Sequence, residues 1–253
     1  MKVTERFSNR VENYVKYRPN YPPEIISFLQ NEIGLLPSSI IADIGSGTGI
    51  STELFLRNGN TVYGIEPNPE MRKAGEELLS EYPAFHSIDA TAEATTLADA
   101  SIDFLTASQA FHWFDVQRSK IEFARILKKS GWVVLIWNER ILDSTDFLIA
   151  YEKLLHSFGT DYAEVQHKNV KGNIATLFQK RSYGLRKFPN NQSFDFEGLK
   201  GRLLSSSYTP APDSPNYQPM LEELRRIFEE YQCEGNVNIL YNTEVFFGQI
   251  FQG

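Results

Sequence analysis

The chain is predicted to form a doubly wound α/β fold with a mostly parallel sheet. Three observations predict it. Short β-branched runs alternate with helix-period segments from residue 40 to residue 138, the pitch of right-handed β-α-β crossovers. A glycine-rich turn, Gly45-Ser46-Gly47-Thr48-Gly49, leaves the first of those runs and enters a helix. The 253 residues, 42% of them hydrophobic, suffice to bury such a core.

Phe7, Val11, Tyr14 and Val15 share one helical stripe, so residues 4 to 16 are expected to be helical. Arg18-Pro19-Asn20-Tyr21-Pro22 interrupts it, and Pro23 opens a helix over Glu24 to Asn31. Ile40 to Ile44 is apolar and β-branched, the signature of a fully buried parallel strand. Residues 50 to 58 read as helix, with Gly59 as its stop. Thr61 to Glu66 is a second strand, and Asn68-Pro69 opens a helix through Met71 and Leu79. Ala84 to Ile88 and Ile102 to Ala107 are further strands, Ile121 to Lys128 a helix, and Gly131 to Asn138 a fifth strand. Beyond Arg140, residues 141 to 181 read as mostly helical, Tyr208 to Pro215 as a surface loop, and Leu221 to Tyr231 as an amphipathic helix. Val237 to Phe251 reads as one or two late strands, set as an antiparallel hairpin against a strand near 183–188.

Composition removes several function classes. Lys and Arg number 25 and Asp and Glu 32, a net charge of -7, which argues against wholesale binding of nucleic-acid phosphates or of an acidic membrane. Cys233 stands alone, so it forms no internal disulfide and no CxxC metal site. His86, His112, His156 and His167 lack the spacing of a zinc helix. The N-terminus MKVTERFSNR is too polar for a secretory segment, and the longest apolar run, Trp132 to Trp137, is far short of a membrane span. A cytoplasmic protein with neither metal nor nucleic-acid nor membrane partner is expected.

Glycine in the loop serves backbone angles that a Cβ opposes, and close approach of a ligand to the main chain. Glu66 ends the next strand near the spacing of an acid that grips ribose hydroxyls. A tight turn without a ligand is the bland alternative, and the strand, helix and acid in the right order count against it. The dinucleotide fingerprint G-x-G-x-x-G fits in neither frame, because its third glycine falls on Ile50 or Thr52. A phosphate-binding Gly-Lys-Ser/Thr loop is absent.

Ala42 to Gly49 resembles the first motif of class I S-adenosylmethionine-dependent methyltransferases. Gly64 to Met71, Thr91-Ala92-Glu93, Ser101-Ile102-Asp103 and Arg125 to Trp132 resemble the motifs that follow, in the family's order. The match spans residues 40 to 138 and departs at Lys129-Ser130-Gly131-Trp132, where Lys-Pro-Gly-Gly is usual. Tyr14 to Pro22, Ala110 to Asp115 and Ser206 to Pro210 resemble the methyltransferase type 11-like, small-molecule enzymes of the trans-aconitate and cantharidin types.

The resemblance implies a Rossmann-like, seven-stranded sheet with an antiparallel last strand. It implies a cofactor core over 1–138, a cap over 139–216 that contributes a strand near 183–188, and a final helix and strand over 217–253. Asp43, Gly45, Ser46, Gly47 and Gly49 would face the methionine part of S-adenosylmethionine, Glu66 its ribose, and Pro67, Met71, Thr91 and Ala92 its adenine. Ser108 and Gln109 would lie near the methyl group, with Tyr14 and Arg18 closing over the cofactor. A small organic acceptor, a carboxylate or a hydroxyl, would be met by Tyr17, Trp113, Arg202 and Tyr208, with His112 as orienting group or base. S-adenosylhomocysteine would be the product. An NAD(P)-linked oxidoreductase and a silent cofactor-binding homologue are the rival expectations.

Overall fold

In the computed structural model, residues 11–162, 170–178 and 183–250 are described. The chain runs α1 (Val11–Tyr17), α2 (Glu24–Ile33), β1 (Ile40–Ile44), α3 (Ile50–Arg57), β2 (Thr61–Ile65), α4 (Pro69–Leu78), β3 (Phe85–Ile88) and β4 (Ile102–Ser108). A 3-10 turn at Phe111–Trp113 leads into α5 (Val116–Ile126) and β5 (Leu127–Arg140). Then come α6 (Asp146–Phe158), α7 (Val170–Phe178), β6 (Gly184–Phe194), α8 (Phe196–Leu204), α9 (Tyr217–Tyr231) and β7 (Val237–Gly248). The expected helical start at residues 4–10, part of the helical reading of 141–181 and the end of the last strand at Phe251 lie outside the described residues.

The seven strands form one sheet in the order β3-β2-β1-β4-β5-β7-β6. β1 to β5 pair in parallel, and β7 lies antiparallel between β5 and β6. The period of two along each strand sorts the core. Val133 and Leu135 of β5 join Ala42 and Ile44 of β1 on the face covered by Phe123 of α5 and by Ile174 and Leu177 of α7. Val134, Ile136 and Ile41 face the other way, onto Ile25 and Leu29 of α2 and Phe55 of α3. A third cluster gathers α6, α8 and α9 around Val237, Ile239 and Tyr241, the half of β7 that reaches past the parallel strands. Helix α1 is fixed against α8, where Tyr17 stands so close to Gly201 that a Cβ there would come 2.1 Å from its ring.

Three expectations need correction. β6 and β7 are antiparallel neighbours but not a hairpin, because α8 and α9 lie between them in sequence. β6 also runs to Phe194, past Pro189, which an edge strand tolerates because one side needs no donor. Helix α5 begins at Val116 rather than Ile121, because the Asp115 carboxylate accepts from the Gln117 and Arg118 amides and caps the first turn.

Glu122 ties α5 to the loop before β4. It accepts from the Thr95 amide (2.7 Å) and hydroxyl (2.5 Å) and from Arg125 (2.7 and 2.9 Å). The Arg125 guanidinium and the Thr95 donors hold its carboxyl at about 2, below the ordinary 4.5. That stability is present above 4.5 and is lost as pH falls toward the folded value. Glu122→Gln is therefore expected to cost about 2 kcal/mol at neutral pH. Urea unfolding between pH 7 and pH 2 should show the deficit shrinking through that acid window; a constant deficit would refute the assignment.

Candidate functional site

The loop after β1 is folded back onto β2, where the Gly45 and Ser46 amides donate to the Ile65 carbonyl (2.8 and 3.1 Å). Gly45, Gly47 and Gly49 have φ of 69°, 58° and 88°, in the left-handed region that favours glycine. Their surroundings differ. A Cβ on Gly45 would stand 2.6 Å from Ala110 Cβ, and one on Gly49 2.5 Å from Leu79 Cδ1. Gly47 has room, with Met71 Cε at 3.4 Å from such a Cβ, and its amide donates to Glu66 Oε2 (2.9 Å).

Glu66 sits just past the end of β2 and is nearly buried. Its Oε1 accepts from the Asn68 amide (2.8 Å), and Asn68 caps α4 by accepting from the Met71 amide (2.8 Å). Burial pushes the Glu66 carboxyl above the ordinary 4.5, partly offset by those two backbone donors. A carboxylate offers about four lone-pair sites, so two remain for further donors.

Two adjoining cavities open from this loop. One, of about 200 Å³, is lined by Glu66, Pro67, Met71, Thr91, Ala92 and Trp113 among others. The other, of about 220 Å³, is lined by Arg18, Ser46, Arg140, Arg202, Tyr208 and Tyr241 among others. Tyr14, Gly45, Gly47, Ser108 and Gln109 line both and form the shared wall. Gln109 holds a left-handed φ of 56°, pinned by its amide on the Ile136 carbonyl (3.0 Å) and its side-chain Nε2 on the Asn138 carbonyl (3.2 Å). Such a conformation in a non-glycine residue costs energy and is common at working sites.

Most of the expected site residues therefore converge on these two spaces, but four line neither cavity. Asp43 is fully buried behind the loop, where its carboxylate accepts from Ser51, Thr52 and Thr106 hydroxyls (2.8, 2.7 and 3.0 Å). Gly49 packs on α4 instead of facing a cavity. Tyr17 packs on Gly201, and its carbonyl accepts from Gln192 (3.1 Å). His112 is set between Trp113 and Trp137, at ring distances of 4.3 and 5.5 Å. Trp137 lines the second cavity and Trp113 the first, and His112, half-buried between the two rings, lines neither. Trp113, expected at the acceptor, lines the space of Glu66 and Met71 instead.

Tyr21, Trp137, Arg140, Tyr162 and Tyr241 line the second cavity without having been anticipated. Tyr21 and Trp137 fall in segments singled out above, and Arg140 carried a signal as a charge closing the run that contains the longest apolar stretch, at the C-terminal end of a parallel strand where ligands bind in such sheets.

Over residues 42–135 the chain matches the family described as a methyltransferase domain. The fold is similar to that of solved methyltransferase structures. A structure assigned as a type II methyltransferase of Anaeromyxobacter dehalogenans aligns with a TM-score of 0.69 at 18% identity, covering 94% of this chain and 100% of that one. A Haemonchus contortus phosphoethanolamine N-methyltransferase in complex with S-adenosyl-L-methionine aligns at 0.58 and 14% identity, covering 99% of this chain and 59% of that one.

Among sequence relatives, an uncharacterized methyltransferase-like protein of Schizosaccharomyces pombe is 26% identical over 247 residues, 95% of this chain and 93% of the relative. An uncharacterized methyltransferase of Mycobacterium tuberculosis is 36% identical over 136 residues, 53% of this chain and 52% of its own length. The chain thus matches about half of the mycobacterial relative. Among the described residues, no helix is long and apolar enough to cross a membrane.

Proposed function

We propose that the protein is an S-adenosylmethionine-dependent methyltransferase acting on a small organic acceptor, a carboxylate or a hydroxyl. The observation that carries this reading is the pairing of Glu66 with the open Gly45–Gly47 backbone at the junction of two cavities. The residues fit the cofactor: Gly45 and Gly47 leave bare main chain at the junction of the cavities, and the free lone pairs of Glu66 suit a ribose diol. Met71, Pro67 and Ala92 give an apolar slot for adenine, with Thr91 at its edge. The bound cofactor would supply a methyl group made electrophilic by an attached sulfonium.

The protein's part is alignment. Gln109, Ser108 and Tyr14 stand where the cavities meet, so they would orient the transfer and exclude water. The Tyr14 ring, already 4.9 Å from the Arg18 guanidinium carbon, suits a cationic neighbour. Residues 139–216 would act as a cap over the acceptor. The resemblance to the trans-aconitate and cantharidin types, and a cytoplasmic location, belong to the same reading.

Calorimetric titration with S-adenosylmethionine, S-adenosylhomocysteine and NADH tests it. The first two are expected to bind at micromolar concentration, and Glu66→Ala to weaken them about 30-fold or more through loss of charge-assisted bonds. Binding of NADH alone would overturn the reading. Because burial raises the Glu66 carboxyl, affinity should fall at a pH above the ordinary 4.5 as acid is added. Glu66→Gln should remove that step.

A further inference from the structure

Helix α1 supplies part of the wall between the cavities without a core of its own. Its Tyr14 lines both cavities, yet the helix is seven residues long and none of them is buried. A helix this short has little stability by itself, so its placement depends on what its end is tied to. Two carbonyls just past Tyr14 are held by side-chain amides from β6, at the far edge of the sheet. Gln192 Nε2 donates to the Tyr17 carbonyl (3.1 Å) and Asn190 Nδ2 to the Asn20 carbonyl (2.8 Å).

Gln192 is also the middle of a longer chain of hydrogen bonds. Its Oε1 accepts from the Tyr241 hydroxyl (3.0 Å), and the Tyr241 oxygen accepts from Arg202 Nε (3.2 Å). The direction of this chain is fixed at both ends, because a guanidinium can only donate and a carbonyl can only accept. Tyr241 therefore receives from Arg202 and gives its one proton to Gln192. The amide oxygen of Gln192 must face Tyr241, and its NH2 must face Tyr17. Bonds linked head to tail in this way polarise and strengthen one another. Arg202 and Tyr241 are buried and line the second cavity, whereas Gln192 is half-buried and lines neither.

Resting on the cofactor reading above, we propose that Gln192 is a positioning residue that ties α1 to the Arg202–Tyr241 pair and so holds Tyr14 at the wall between the cavities. Its place in the sheet suits that role. Gln192 pairs with Ile239, so Tyr241 is its diagonal neighbour on the same face, and the strand pairing fixes both. Arg18 makes a second tie from the other side. Its Nη2 donates to the Ser205 carbonyl at the end of α8 (2.9 Å), and its guanidinium carbon stands 4.9 Å from the Tyr14 ring. Without the Gln192 bonds, α1 would be held from the α8 side alone, and Tyr14 could lift from the wall. That opens the way out for a bound nucleoside and leaves the way in as it was, so the effect falls on release.

The test uses the whole protein and S-adenosylhomocysteine in stopped flow, with the fluorescence of Trp113 in the wall of the first cavity as reporter. The dependence of the observed rate on ligand concentration separates association from release. Gln192→Leu is expected to release the nucleoside about tenfold faster, the scale of one or two lost hydrogen bonds, with association within about threefold of wild type. Gln192→Glu keeps an acceptor for Tyr241 but turns a carboxylate oxygen toward the Tyr17 carbonyl. It should release at least as fast as the leucine variant, and wild-type release there would show that the tie to Tyr17 holds nothing. In a Tyr14→Ala background Gln192→Leu should add less than about twofold, because the ring it positions is gone. Full additivity would mean that Gln192 does not act through α1. Ser193→Ala, exposed on the same strand, is the control for changes to β6 itself. Gln192→Leu should match its urea midpoint, and a lower midpoint with unchanged release overturns the assignment in favour of a structural role. In each of these failures the cofactor reading stands. If S-adenosylhomocysteine does not bind the wild-type protein, both fall.

Discussion

Gly45→Val is expected to lower S-adenosylmethionine affinity more than 100-fold and to destabilise the fold by about 2–5 kcal/mol. Two independent costs meet at this residue. Its φ of 69° is open to glycine and strained for a β-branched side chain. Its Cβ would also stand 2.6 Å from Ala110 Cβ, a group fixed to the main chain just after β4, so neither side can yield cheaply. Relief requires the loop to move away from Ala110, and that motion carries it into the wall shared by both cavities.

The neighbouring glycines separate the two costs. Gly47→Ala meets only Met71 Cε at 3.4 Å, so it keeps the backbone penalty and loses little packing. Gly49→Ala meets Leu79 at 2.5 Å but lines no cavity, so it should cost stability with a smaller loss of affinity. Calorimetric titration and urea unfolding of the three variants give both quantities. Cofactor affinity within tenfold of wild type in Gly45→Val would show that the loop is not the binding element.

What could be read without the structure follows from the range of the forces. The β1 loop announced itself because strand, glycines and helix lie within the eighteen consecutive residues from Ile40 to Arg57 and each obeys a local rule. The start of α5 was missed because Asp115 caps a first turn, Val116-Gln117-Arg118-Ser119-Lys120, whose polar residues hide the helical period. The span of β6 was underestimated because Pro189 and the polar residues after it suggest a loop, and only pairing with β7 from Gly184 to Phe194 makes them a strand. Arg140, Tyr162 and Tyr241 meet in one cavity from β5, the segment after α6, and β7. No local pattern records such a meeting. Asp43 and His112 make the converse point: their chemistry is local, but that they line neither cavity is decided by packing.

Asp43→Ala is expected to cost about 3–5 kcal/mol, the scale of breaking a buried charged network by removing one partner. The carboxylate is the acceptor for three hydroxyls, from Ser51 and Thr52 in the first turn of α3 and from Thr106 in β4. Alanine would leave three buried donors to find new partners and would loosen α3 from the sheet. Ser51 also lines the arginine cavity, so the effect reaches the site without Asp43 touching it. Asp43→Asn should be milder, about half the cost, because its amide oxygen still accepts and one hydroxyl can turn to accept from the amide nitrogen. The pH dependence runs opposite to that of Glu122. Burial raises the Asp43 carboxyl above 3.8 and outweighs the three hydroxyl donors that lower it, so the folded state binds the proton more tightly than the unfolded chain. Its contribution to stability therefore grows as pH falls through the raised value and shrinks as pH rises through it. Asn, which cannot titrate, should lose that gain, so the deficit of Asp43→Asn against wild type should widen on acidification while that of Glu122→Gln narrows. Urea midpoints for both variants across pH 7 to 3 decide it, and a deficit that narrows for Asp43→Asn would mean that the three hydroxyls outweigh burial.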